Sequence, residues 1–237
     1  MLKISVTQFI LCLIWIYSFR LCYSQQQPFG VPFRVPTGEA NFEDPSICSL
    51  SDGGYLILKQ SVSGSNQVLR FKADNTYKEL PHNFPVNLEC AGLKDGVYVI
   101  VFQQGSELRA QRFFSNDTAF GASVLIGTKG LFIRVVGLED GGYLVAFFRS
   151  LETYGTRYHN NNTLYEYEFF LAPQWNSLVS LKDGGFLVVG IDQIRRYNVD
   201  NSIQKTIELG LRDSSIVGLE DGGYVIAWGS RTNSDYV

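Results

Sequence analysis

Leu138-Glu139-Asp140-Gly141-Gly142-Tyr143-Leu144-Val145-Ala146-Phe147-Phe148 places an Asp-Gly pair directly ahead of an apolar run. Asp-Gly between apolar segments is the strongest short-range hairpin signal, because both central positions of a two-residue turn need positive φ, which Asp and Gly tolerate. The pattern recurs at residues 50–55, 93–98, 181–186 and 219–224, with one departure, Val97 in place of the second glycine. Its aspartates, Asp52, Asp95, Asp140, Asp183 and Asp221, are spaced by 43, 45, 43 and 38 residues. Self-similarity at such a period marks a solenoid or a propeller.

The strand after each turn is apolar at successive positions, as in Val99-Ile100-Val101-Phe102 and Leu187-Val188-Val189. Continuous rather than alternating hydrophobicity means that both faces are covered, so sheets must pack on either side. Each such residue contributes roughly 1.5–3 kcal/mol when buried. A second anchor follows downstream, an arginine and an aromatic before a turn: Arg70-Phe71, Arg112-Phe113, Arg157-Tyr158 and Arg196-Tyr197. A further strand succeeds each of these turns, for example over residues 122–126, 164–171 and 204–209. One repeat therefore holds four strands, and the spacing predicts an all-β, five-bladed β-propeller of four-stranded antiparallel blades. Residues 32–36, bounded by Pro32 and Pro36, stand where a fourth strand belongs, while the fifth repeat supplies two strands and a short third ending near Tyr236. Joining that segment to the last blade closes the ring and removes an exposed edge. The alternative is an array cut from a longer chain.

Residues 1–24 read as an export signal: Lys3 gives a positive start, residues 9–19 are almost purely apolar, and Cys22-Tyr23-Ser24 offers small residues for cleavage after Ser24. The remaining 25–237 form a single propeller domain, secreted or at the extracellular surface. The apolar stretch is short of the roughly 20 residues of a membrane span, so a membrane partner follows only if the signal is retained. Removal takes two of the 20 basic residues and none of the 23 acidic ones, moving the net charge from −3 to −5. Scattered, mildly acidic charge gives no basic stripe, which excludes nucleic acid and anionic lipid as partners. With 45% apolar residues the chain can bury a substantial core.

At these residues the chain resembles the repeats of large secreted and cell-surface proteins, protozoan and bacterial, in which a Leu-x-Asp-Gly-Gly-Tyr-Val-Val-x-Trp hairpin is followed by a Gln-Arg-Phe-Asp strand. The segment from Gly218 through Asp221-Gly222-Gly223-Tyr224 to Trp228 matches the first half, and Gln111-Arg112-Phe113 the second. The resemblance covers about residues 30–237. It implies the fold and an exported location, and, because relatives sit beside adhesion-type modules, extracellular binding of a protein or glycan partner.

Candidate sites are few. Cys48 and Cys90 lie on equivalent strands, four and five residues before their repeat aspartates. Export permits a disulfide, but the one-residue phase difference points the thiols to opposite faces, with buried free thiols as the alternative. Asn116-Asp117-Thr118 and Asn161-Asn162-Thr163 are glycosylation sequons in turn-rich stretches, placing glycans on Asn116 and Asn161. The repeat aspartates are structural turn formers: calcium takes six to eight oxygens and each turn carries one aspartate, so no metal or other cofactor is expected. Tyr154 and Trp175, both loop-like, are candidates for carbohydrate stacking in a lectin, whereas Tyr165, Tyr167 and Phe169 share one face of a half-buried strand. Ser51, Lys94, Glu139, Lys182 and Glu220 ring one rim with alternating charge and neighbouring salt bridges. A glycoside hydrolase needs two opposed carboxylates, and Glu89 is the one acid on the strands expected to line the axis. His82 and His159 sit in polar loops and offer little for a catalytic triad or zinc site. No catalytic residue is assigned; the leading reading is a non-enzymatic binding module.

Overall fold

The computed structural model describes residues 42–61, 66–82, 84–128, 130–208, 212–219 and 221–229. The export signal, the segment 32–36, Glu220 and the strand expected near Tyr236 lie outside the described residues.

Successive hairpins build four antiparallel sheets of four strands in sequence order. The first holds β1 (Phe42–Ser49), β2 (Tyr55–Ser61), β3 (Gln67–Phe71) and β4 (Tyr77–Glu79), and the second β5 (Val86–Gly92), β6 (Tyr98–Gln104), β7 (Glu107–Phe113) and β8 (Val124–Thr128). The third holds β9 (Leu131–Gly137), β10 (Tyr143–Arg149), β11 (Glu152–Tyr158) and β12 (Leu164–Ala172), and the fourth β13 (Trp175–Ser180), β14 (Phe186–Gly190), β15 (Gln193–Tyr197) and β16 (Ile203–Glu208). A last pair, β17 (Arg212–Gly218) and β18 (Tyr224–Gly229), follows. The leading strands β1, β5, β9, β13 and β17 neighbour one another in that order, which is the arrangement of propeller-like blades about an axis.

The second strands of the three inner sheets, β6, β10 and β14, each feed two cores at once, which explains their unbroken hydrophobicity. Tyr98, Ile100 and Phe102 pack with Leu56 and Leu58 of the first sheet, while Val99 and Val101 pack with Tyr143, Val145 and Phe147 of the third. Leu144 and Ala146 then meet Phe186 and Val188, and Leu187 and Val189 meet Ile216, Tyr224 and Ile226. At the two ends of the stack an apolar face is bare: Ile47 on β1, and Val217 and Val225 on β17 and β18, are exposed.

The glycine turns depart from the two-residue geometry expected of Asp-Gly. In the first repeat the Leu50 amide donates to the Gly54 carbonyl (2.8 Å), the Gly53 amide donates to the Leu50 carbonyl (3.1 Å), and Gly53 has φ 81°. The same bonds recur at Leu138, Leu181 and Leu219, with Gly141, Gly184 and Gly222 at φ 82°, 85° and 88°. This is a three-residue loop, a tight turn closed by a left-handed glycine in a bulge. The aspartate decides it, because its carboxylate accepts the amide two residues on, at 2.9 Å for Gly54 and 2.8 Å for Gly142, while its other oxygen takes the arginine of the downstream anchor. A Cβ at Gly142 would lie 2.2 Å from the Tyr158 carbonyl oxygen, so the second glycine is steric. Only the second repeat has the two-residue turn, with Asp95 at φ 61° and Gly96 at φ 71°, and there Val97 fits and Arg112 turns to the Asn160 carbonyl instead.

The motif aromatic and the anchor aromatic are cross-strand partners that stack in every four-stranded sheet. Their ring centroids are 4.7 Å apart for Tyr55–Phe71, 5.1 Å for Tyr98–Phe113, 5.0 Å for Tyr143–Tyr158 and 4.7 Å for Phe186–Tyr197. Such pairs contribute about 0.5–1.5 kcal/mol beyond burial. The tyrosine hydroxyls reach the second turn, donating to Asn75 (3.2 Å), Asp117 (2.9 Å) and Asn162 (2.7 Å), all of which sit at positive φ. The glycine-turn motif and the arginine–aromatic anchor are thus spent on the scaffold.

Cys48 and Cys90 are joined in a disulfide, with Cα atoms 5.9 Å apart. The opposite-face reading has the phase right and the conclusion wrong. Cys48 pairs with Leu56 and Cys90 with Ile100, and both partners belong to the core between the first two sheets. Equivalent sheets stacked about an axis meet through opposite faces, so the phase shift is what lets the sulfurs meet.

Candidate functional site

Each leading strand is interrupted by the same irregularity near its start, between Glu43 and Ser46, Val86 and Glu89, Trp175 and Ser177, and Arg212 and Ser215, with a matching shift opposite Ala146 and Phe148 on β10. Bulges re-aim side chains and are enriched beside functional sites. The residue that follows lies nine positions before the motif aromatic in all five repeats: Ser46, Glu89, Arg134, Ser177 and Ser215. These are polar at a level where the neighbouring strands are apolar.

Three of them form a cluster. Ser46 Oγ donates to Glu89 Oε2 (2.9 Å), and Arg134 Nη1 donates to Glu89 Oε1 (2.5 Å) and to the Ile133 carbonyl (2.9 Å). The Glu89 side chain is 18% exposed and that of Arg134 52%. Further round, Ser177 Oγ donates to the Ser214 carbonyl (3.0 Å). The cluster lies in a cavity of about 910 Å³ whose polar lining also includes Gln60 and Asn87. Asn87 Nδ2 donates to Gln103 Oε1 (2.7 Å) and Gln60 Nε2 to the Leu88 carbonyl (3.3 Å). The apolar lining is unusually bare: Ile47, Leu131 and Phe132 are exposed. Phe132 has φ 49° and Asn87 φ 56°, left-handed conformations that are strained for a bulky aromatic.

Burial pushes the Glu89 carboxyl above the usual carboxylate range, and Arg134 and Ser46 pull it back only in part. A raised folded pKa means that ionised Glu89 carries a penalty above that pKa, and the penalty fades as pH falls through it toward the unfolded value of about 4.3. Across that window acidification is expected to favour the wild-type chain relative to Glu89→Gln. Urea midpoints of both proteins against pH check the sign, and parallel curves contradict it.

Among the described side chains of the cavity Glu89 is the one carboxylate, where glycoside hydrolysis takes two. Arg134, its partner 45 residues on, is marked in the sequence by the constant nine-residue offset alone.

The other candidates are placed elsewhere. Tyr154 and Trp175 are not on loops: Tyr154 lies within β11, half-buried in the core between sheets two and three, and Trp175 opens β13, half-buried in the core between sheets three and four. They serve opposite faces of one sheet and form no shared platform. Tyr165 and Tyr167 are exposed while Phe169 packs inward, because Glu168 at φ 43° breaks the alternation. At the glycine-turn rim the expected alternation is met by Lys94 and Lys182, 3.6 and 3.8 Å from Glu139, and by Ser51 Oγ accepting the Gly96 amide (2.6 Å). Among the described residues of that rim, the charged side chains pair with one another. His82 packs on Phe113 (5.0 Å) and His159 on Tyr165 (4.9 Å).

Asn116 and Asn161 are exposed in the second turns, each Oδ1 accepting the amide (3.0 Å) and hydroxyl (2.6 Å) of the sequon threonine. Asp74 and Asp200 make the same turn in the first and fourth repeats, where those hydrogen bonds hold their carboxyls below the usual range. The sequons are therefore the asparagine version of a repeated turn. A second cavity of about 920 Å³ opens between the outer strands of the first two sheets. Four of its charged side chains are paired, Arg70 with Asp52 and Lys78 with Asp117 (2.6 Å).

No family model matches the sequence, and no curated protein matches it either. Solved structures do match in fold. A streptogramin B lyase superposes with TM-score 0.51 at 14% identity over 80% of this chain and 84% of its own. A protein of unknown function from Bacteroides caccae gives 0.54 at 18%, covering 82% and 73%. A functionally unknown protein from Desulfotomaculum acetoxidans gives 0.53 at 12%, covering 79% and 62%. At these identities the likeness concerns the fold alone.

Proposed function

We propose that this chain is an exported, non-enzymatic binding module, a five-bladed β-propeller that holds its partner at the axial cavity rather than at the glycine-turn rim. The observation that carries the reading is the cavity's composition: a charge-compensated Glu89–Arg134 pair beside exposed Ile47, Leu131 and Phe132, in contrast to the glycine-turn rim, where Lys94 and Lys182 pair with Glu139. Exposed apolar groups around a few converging polar ones are the usual makeup of a binding site. The disulfide fits an oxidising compartment, in keeping with residues 1–24 as a secretion signal.

Fluorescently labelled residues 25–237 are expected to label intact cells, and Arg134→Glu to lower that labelling at least tenfold while Lys182→Glu leaves it unchanged. Equal effects of both, or loss with Lys182→Glu alone, overturn the axial assignment. Hydrolysis of aryl glycosides by the wild type that Glu89→Gln abolishes overturns the non-enzymatic one.

Closure is part of the same reading. Among the described residues the last sheet has two strands where the others have four, and Val217 and Val225 on it are exposed. We assign the closing strand to residues 32–36, which lie outside the described residues. Deleting residues 25–41 is then expected to leave an open edge and give concentration-dependent oligomers in sedimentation; a deletion protein that stays monomeric with an unchanged melting curve contradicts closure.

A further inference from the structure

We infer that the axial cavity is a subsite for a neutral sugar, a step that rests on the axial binding reading above and names its ligand class. A pyranose presents an apolar C–H face and, at its edge, hydroxyl pairs that both donate and accept. Its receptor needs an aromatic surface beside planar polar groups of both kinds.

The cavity brings these together. Phe132 is 74% exposed, turned outward by the bulge that gives it φ 49°, and braced by Phe148 with ring centroids 6.3 Å apart. A bulky aromatic held in a strained conformation and left bare does no packing work commensurate with its cost, whereas a stacking surface requires that exposure. Two residues along β9, Arg134 commits Nη1 to Glu89 and the Ile133 carbonyl, and its Nε and Nη2 have no protein partner among the described residues. Those two nitrogens are a planar donor fork at the cavity surface. Glu89, Ser46, Asn87 and Gln60 add carboxylate, hydroxyl and amide groups around it.

Charge selects among ligands. The guanidinium is compensated by Glu89 at 2.5 Å, so a carboxylate or phosphate entering the fork also meets the buried glutamate. A neutral polyol takes the donors without that repulsion. The volume, about 910 Å³, lies within the range of small-ligand pockets and accommodates more than one sugar ring.

The test is titration calorimetry of residues 25–237 with methyl glucoside, galactoside, mannoside and N-acetylglucosaminide, with N-acetylneuraminic acid as a charged arm and a glycan array for longer chains. At least one neutral glycoside is expected to bind. Phe132→Ala and Arg134→Met should each weaken it at least tenfold, Phe132→Trp should retain it, and Lys182→Ala should leave it unchanged. Both cavity residues are exposed, and near-ultraviolet circular dichroism confirms that the variants fold. Absence of binding to every neutral sugar, binding of N-acetylneuraminic acid alone, or binding indifferent to Phe132→Ala overturns the inference. The two readings fail differently: cell labelling lost with Arg134→Glu but untouched by free sugars and by glycosidase treatment leaves the axial site standing and removes the sugar.

Discussion

Arg157→Ala is expected to destabilise the chain by about 3 kcal/mol, through acceptors left unpaired as much as through lost packing. The Arg157 side chain is 1% exposed. It donates to Asp140 Oδ2 (2.9 Å), to Asn201 Oδ1 (3.0 Å) and to the Val199 carbonyl, and its guanidinium lies 4.7 Å from the centre of the Tyr165 ring. One side chain thereby ties the glycine turn of the third sheet to the outer turn of the fourth. Among the described residues the equivalent Arg196 pairs with Asp183 alone, their side chains being 28% and 50% exposed, so Arg196→Ala is expected to cost no more than about 1 kcal/mol. Urea denaturation of the two variants gives the comparison. Equal losses would mean that the inter-sheet bonds of Arg157 contribute nothing beyond the shared turn.

That contrast marks where the sequence is legible. Both anchors, the arginine with its aromatic and the glycine turn, could be read as separate signals, because each is a local pattern with a local cause. Their coupling could not: Asp140 meets Arg157 across a hairpin, and Arg157 then meets Asn201 in the next sheet, 44 residues away. Turn type was misread for the same reason. Asp-Gly alone favours the two-residue form, and the aspartate's bond to a downstream amide converts it to the three-residue bulged form in four repeats of five, joined in three of them by a distant arginine. Asp221 keeps the amide bond in the last repeat.

The candidate site was legible to a lesser degree. Glu89 stood out as an acid on an otherwise apolar axial strand, but one carboxylate suggests chemistry only with a partner, and pairing depends on which strands surround the axis. Tyr154 and Trp175 attracted notice because aromatics in polar stretches look exposed. The sheets on either side absorb them. Phe132 escaped notice inside an apolar strand, since nothing in its neighbours announces the left-handed backbone that turns it outward.

Loss of the disulfide is expected to have the largest effect. Cys48 and Cys90 are 42 residues apart, and closing a loop of that length in the unfolded chain is worth about 4 kcal/mol in the chain-entropy account. For a chain of this size that corresponds to a fall in melting temperature on the order of 10 °C. Cys48→Ala with Cys90→Ala, or reduction of the wild type by dithiothreitol, should give similar falls, because each removes the same constraint. The bond also fastens β1 to β5, and β1 is the first described strand of the stack, with its other face bare. Without the bridge, the first sheet is held to the second by the apolar core of Leu56, Leu58, Tyr98 and Ile100 and by the Ser46–Glu89 hydrogen bond. Reduction is therefore expected to speed amide exchange in β1 and β2 more than in β10 or β14, which other sheets enclose on both sides. Uniform acceleration across all sheets would mean that the bridge acts on the unfolded chain alone and that the first sheet is as firmly seated as the rest.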